Sequence, residues 1–209
     1  MVYIIYKIVL SAYMGRRLFQ EVSVSVGKEK KNSLLLREEC ILVIIDIQDK
    51  LMPAIAEKEK VVSNAIKLAQ FCRITGIPVF ITEQEKLGGT VALLKNELPG
   101  VEPFHKVHFN CFSAHDFDTE IKKKGKKTLI LAGVEAHICV AQTALYAVPF
   151  YGVHVVSDAT SSRLMENHEV ALDRMRNAGT TITTTEMFLY EILQKAGTEE
   201  FKKVLPLVK

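Results

Sequence analysis

The chain has 209 residues, 27 Lys and Arg against 24 Asp and Glu, and a formal net charge of +3; 48% of its residues are hydrophobic and 24% charged. That length and balance fit one α/β domain with a sizeable core and exclude an intrinsically disordered chain. The cationic excess is too small to argue for a nucleic-acid partner, and no apolar run approaches the roughly 20 residues that span a bilayer, so neither nucleic acid nor membrane is expected as a partner.

The first 20 residues are apolar, carry Lys7, Arg16 and Arg17, and contain no acidic residue. Residues 1–33 read as an N-terminal extension that packs on the domain or on a partner subunit, with an organellar targeting segment as the alternative. From there to residue 209 the pattern alternates strand and helix. Residues 41–46 form a continuous apolar run rich in β-branched residues, the mark of a buried parallel strand. A helix over 55–75 follows and stops at Gly76, then a second strand over 78–82. Gly88 and Gly89 mark a loop before a short helix over 90–95, which ends near Pro99 and Gly100. Residues 104–109 read as extended and 113–116 as a helix start, with Phe117 and Ile121 one turn apart. A strand over 128–132 leads into a helix over 137–148. Then come a strand over 153–157, a helix over 169–178 ended at Gly179, a β-branched strand over 180–185 and a helix over 187–195. The basic run at 122–127 reads as a solvated helix end.

This alternation predicts a three-layer αβα sandwich around a central, mostly parallel, Rossmann-like sheet. Ligands of such sheets bind beyond the carboxyl ends of the strands. Asp46, Thr82, the corner at Val134 and Glu135, and Asp158 all fall at or just past such ends.

Four cysteines, Cys40, Cys72, Cys111 and Cys139, are widely spaced and form no CxxC or Cys/His pattern, which predicts reduced thiols in a reducing, cytoplasmic compartment. No metal site is expected, since the three-residue spacing of His105 and His108 in an extended segment points them to opposite faces. Cys139 stands apart because it follows a strand at the start of a helix, where free N–H groups favour a thiolate and a developing oxyanion. It reads as a nucleophile or as a small buried hydrophobe. Asp46 reads as a carboxylate emerging into a site or as an N-cap of the next helix. Lys106 reads as a cation beside the thiol or as an edge-strand lysine facing solvent. Together the three supply a nucleophile, a base and an ammonium.

With those residues in place, the chain resembles the isochorismatase-like cysteine hydrolase superfamily over residues 35–193. The matching stretches are Leu42-Val-Ile-Ile-Asp-Ile-Gln48, Lys106 with Phe109-Asn-Cys-Phe112, Gly133-Val-Glu-Ala-His-Ile-Cys139 with Gln142-Thr143-Ala144, and Ser157-Asp-Ala-Thr-Ser-Ser162. Thr82-Glu-Gln84 with Gly88-Gly-Thr90 looks most like the isochorismatase-domain-containing subgroup. The resemblance implies a triad of Asp46, Lys106 and Cys139 acting through a thioester on a small amide or related C–N bond. It also implies a cis peptide between Val134 and Glu135 that aims the N–H groups of Glu135 and Cys139 into an oxyanion hole. The stretch 82–88 lacks the Asp and two His that bind metal in nicotinamidases, so no metal or other cofactor is expected. Gln48, Thr82, Gln84 and Phe109 are expected to line the substrate pocket, with Phe109 as core the alternative, and His137 to support it. Ser161, Ser162 and Arg163 read as structural or as a subunit contact. Relatives are dimers or larger, so a homo-oligomer is expected. The competing readings are a catalytically silent, hydrolase-like interaction module and a flavodoxin-like mononucleotide carrier. The latter lacks a Gly-rich loop after the first strand.

Overall fold

The computed structural model describes residues 34–114 and 116–209. The expected extension at 1–33, with its targeting alternative, lies outside the described residues, as does His115 in the expected helix start. Six strands form one sheet in the order β3-β2-β1-β4-β5-β6, and every neighbouring pair is parallel. They are β1 Cys40–Ile45, β2 Val79–Gln84, β3 Phe104–Lys106, β4 Thr128–Val134, β5 Gly152–Ser161 and β6 Thr181–Thr183. The helices are α1 Lys58–Thr75, α2 Ala92–Lys95, α3 Phe117–Lys123, α4 Ala141–Ala147, α5 Met165–Asn177, α6 Thr185–Leu193 and α7 Glu199–Val208.

All six residues of β1 are buried, because helices cover both faces of the sheet. Alternate side chains divide between two cores. Leu42 and Ile44 pack with Leu68, Phe71 and Phe188 on the α1 and α6 face, while Ile41 and Val43 pack with Phe117 and Ala144 on the α3 and α4 face. The expected three-layer sandwich is thus the observed architecture.

Where boundaries differ from expectation, local chemistry explains them. Pro53 lies in a 3₁₀ turn, Met52–Ala54, and Glu57 sits at φ 50°, so α1 begins at Lys58 rather than at 55. Gly76, at φ 73°, closes α1 by donating its N–H to Cys72 O, in line with the sequence pattern. The helix expected over 137–148 is divided into a π turn, Ala136–Val140, and α4. β5 runs on to Ser161 through a register shift opposite Leu131 and Gly133. The last strand is short because Thr184 leaves it to cap α6, its hydroxyl accepting from Met187 N–H. α7 has no counterpart among the elements expected from the sequence.

From β1 the chain winds outward through β2 and β3, then crosses back to β4, so the order reverses between β1 and β4. Crevices for ligands open at such reversals. Here Gly133 pairs with Ile45 at φ 118°, and a Cβ on residue 133 would lie 2.0 Å from Ile45 O. Only glycine lets the two strand ends come this close.

Candidate active site

The chain turns at Asp46 with φ 53°, a left-handed conformation that Asp and Asn tolerate better than most residues. Its carboxylate reaches sideways across the sheet end. Oδ1 accepts from Thr82 Oγ1 at 2.7 Å, and Oδ2 lies 2.6 Å from Lys106 Nζ. The N-cap reading of Asp46 therefore falls, since the next α-helix starts at Lys58.

The solvent-facing reading of Lys106 falls as well. It ends the edge strand, yet it is only 2% exposed. Its ammonium donates to Asp46 Oδ2, to Gln84 Oε1 at 2.8 Å and to Cys139 Sγ at 3.6 Å. Cys139 lies in the π turn after β4, 6% exposed, and its thiol also shares a hydrogen bond with Asp46. Three ionisable groups, from the end of β1, from β3 and from the turn after β4, thus meet in one buried cluster.

Burial pulls the Lys106 ammonium down, but Asp46 and the neighbouring thiols more than offset this, and it stays a firm cation. Burial pushes the Asp46 carboxyl above its usual value against the pull of Lys106 and Thr82, which makes it a stronger base. Burial and then the Asp46 charge push the Cys139 thiol well above the ordinary thiol range, with Lys106 pulling back. Burial and Asp46 thus oppose ionisation of the thiol while Lys106 favours it, and the thiol faces a basic carboxylate. Such a cluster can pass the thiol proton to the carboxylate as the sulfur attacks.

The remaining expected residues are placed as follows. Thr82 and Gln84 hold Asp46 and Lys106, and Gln84 Nε2 also donates to Val107 O at 2.8 Å. Gln48 is wholly buried, and its amide is spent on backbone. Nε2 donates to Gln84 O and Gly88 O, and Oε1 accepts from Gln84 N–H. It braces the strand end instead of lining a pocket. Phe109 is 49% exposed just beyond Lys106, so the core alternative falls. His137 Nδ1 lies 2.9 Å from Ser162 Oγ.

The peptide between Val134 and Glu135 is cis. The Glu135 carboxylate accepts from Arg163 N–H at 2.9 Å and from Arg163 Nε at 3.1 Å, and its carbonyl accepts from the N–H groups of Ile138 and Val140. Ser162 and Arg163 thus clip the cysteine turn to the end of β5. Asp158 does not join the site. Its Oδ1 accepts from Thr185 N–H and Oγ1 at the start of α6.

Sequence reasoning missed Cys111, which it treated as structural. Its buried Sγ lies 3.9 Å from Thr82 Oγ1, and burial followed by Asp46 pushes its thiol up to about 11. The only signal was its place five residues after Lys106. Among the described residues no three His, Cys, Asp or Glu side chains gather to hold a metal ion, and no helix is long and apolar enough to cross a membrane.

A family model described as the isochorismatase domain matches residues 40–187. Isochorismatase domain-containing protein 2 of Danio rerio is 38% identical over 173 residues, 80% of this chain and 86% of that protein. Among solved structures, the MAR1 ribonuclease of Caenorhabditis elegans gives a TM-score of 0.78 at 31% identity, covering 84% of this chain and 92% of that one. The YcaC gene product of Escherichia coli, described as an octameric hydrolase of unknown specificity, gives 0.79 at 25% identity, covering 86% and 92%.

Proposed function

The chain belongs to the isochorismatase family of hydrolases, and on that premise we propose that it is a metal-independent cysteine hydrolase acting on a small amide or related C–N bond. The observation that carries this reading is the buried contact of Lys106 Nζ with both Asp46 Oδ2 and Cys139 Sγ. As Cys139 Sγ bonds to the substrate carbonyl carbon, the thiol proton passes to Asp46 and the carbonyl oxygen takes up negative charge. N–H groups of the turn after β4 stabilise that charge. Asp46 then returns the proton to the departing nitrogen as the C–N bond breaks, leaving a thioester. Water attacks the thioester, Asp46 accepts its proton, and the carboxylic product leaves as the thiol re-forms. Lys106 holds Asp46 in place and offsets charge throughout.

Turnover of a panel of small amides by the parent and by Cys139→Ala tests this. A loss of about 10³-fold or more is expected; turnover retained by the variant overturns it. RNA cleavage is the competing activity that the name of one neighbour suggests. RNA cleavage that survives in Cys139→Ala would displace the proposal.

The second reading is a silent, hydrolase-like module that assembles with copies of itself. The exposed rings of Phe109, Tyr146 and Phe150 favour it. Alkylation separates the two. A nucleophile reacts at Cys139 ahead of the other three cysteines near neutral pH, whereas an inert scaffold shows no preference. We further propose a homo-oligomer, in keeping with the octameric neighbour, built from a hydrolase domain at 34–209 with 1–33 as an extension. Four free thiols among the described residues support a reducing, cytoplasmic setting.

A further inference from the structure

A second concavity lies on the face of the sheet opposite Cys139. It is a groove of about 600 Å³ between α1, the Met52–Ala54 turn, the start of α2 and α7. That volume falls within the range of about 300–1,000 Å³ typical of small-molecule sites. Its apolar lining comes from Met52, Val62, Ile66, Val91, Leu93 and Leu207. Met52 is part of the core on the α1 and α6 side, whereas Cys139 belongs to the other core, so the groove is separate from the candidate active site.

The polar groups of the groove are not scattered. Ser63, Lys67 and Gln70 line it from positions i, i+4 and i+7 of α1, which place them on one stripe of the helix. Lys67 has no ion-pair partner among the described residues. Lys60, Lys122, Lys123 and Lys202 each pair with a carboxylate three or four residues away. Lys58 and Glu59 also line the groove, and neither has an ion-pair partner among the described residues. The groove therefore offers a long apolar wall and a cationic balance, Lys58 and Lys67 against Glu59, with the Lys67 ammonium flanked by a hydroxyl and an amide.

We propose that this groove binds an amphipathic carboxylate. The acyl chain lies along Val62, Ile66, Val91 and Leu93, and the carboxylate is met by Lys67 with Ser63 and Gln70. The charge selects an anion over an alcohol or amine, and the apolar wall selects a medium-length chain over acetate. The site needs no contribution from Cys139, Asp46 or Lys106.

Isothermal titration of the full chain with decanoate, decanol and acetate tests the assignment, repeated on Lys67→Glu and Leu93→Asn. Leu93 is largely exposed, so its replacement leaves the fold intact. Saturable binding of one decanoate per chain is expected, at least tenfold tighter than decanol, with acetate not bound. Lys67→Glu weakens decanoate about tenfold or more and leaves decanol unchanged, while Leu93→Asn weakens both. Equal affinity for decanoate and decanol overturns the proposal, as does decanoate binding indifferent to either substitution. Absence of decanoate binding overturns it too; if Leu93→Asn then also dissociates an oligomer, the occupant is a second copy of the chain.

Discussion

Two polar clusters sit toward the carboxyl ends of the strands of this sheet, one at the β1–β4 reversal and one along the end of β5, and they use their groups differently. On the β5 side, the Asp158 carboxylate takes Thr185 N–H and Oγ1, Asn64 Nδ2 donates to Asp158 O, and Ser161 Oγ donates to Ala56 O. Each of those groups closes a turn, a helix start or a loop. At the reversal, Asp46, Lys106 and Cys139 spend their side chains on one another and on Thr82 and Gln84. The first of these is half-buried at Asp158, the second buried at Asp46, Lys106 and Cys139. Contact between ionisable side chains, with no backbone claiming them, is what distinguishes a strand end able to do chemistry from one that holds the fold.

Removing the buried cation strikes this contrast hardest. Lys106→Met leaves the Asp46 carboxylate buried without its partner, and a loss of about 3–5 kcal/mol is expected in urea unfolding. Asp158→Ala removes only a helix-start contact, with an expected loss of about 1 kcal/mol in the same measurement. Equal losses would erase the distinction. A sharper test is Asp46→Asn. Removing the negative charge that raises the Cys139 thiol, while Lys106 stays, speeds iodoacetamide labelling of Cys139 at pH 7 several-fold even as amide turnover falls. An unchanged labelling rate would mean that the Asp46 charge does not govern the Cys139 thiol. In the parent protein, labelling of Cys139 still climbs at pH 9, where an ordinary thiol is half ionised.

The smallest expected effect belongs to the β5 side. His168, beside Thr160 Oγ1, is held below its usual pKa chiefly by burial. Its folded form thus favours the neutral ring. The stability this gives is present above the unfolded value near 6.5 and is lost as pH falls through the lower folded value. His168→Gln flattens that acid limb of a thermal-unfolding series; an unchanged limb would remove His168 from the account.

How much was legible follows the same division. The apolar runs of β1 and β4 and the stop at Gly76 could be read directly, because burial on both faces and a left-handed cap leave marks in local sequence. Asp46, Lys106 and Cys139 were each readable only as alternatives. The meaning of Lys106 depends on neighbours 60 residues before it and 33 after it, and a three-residue edge strand carries no pattern that says which way a lysine faces. Gln48 was misread because its partners, Gln84 and Gly88, are backbone groups that no side-chain motif announces. The Arg163 clip on Glu135 was hidden for the same reason, and α7, though amphipathic, was passed over with Pro206 inside it.

The bare backbone at Gly133 has a wider consequence. Because main chain lies directly on main chain there, the alignment of the acid-bearing turn with the sulfur-bearing turn is inherited from the spine of the sheet and owes little to surrounding side chains. The rim can then diverge in identity, trading one recognised molecule for another, while the reacting atoms keep their places.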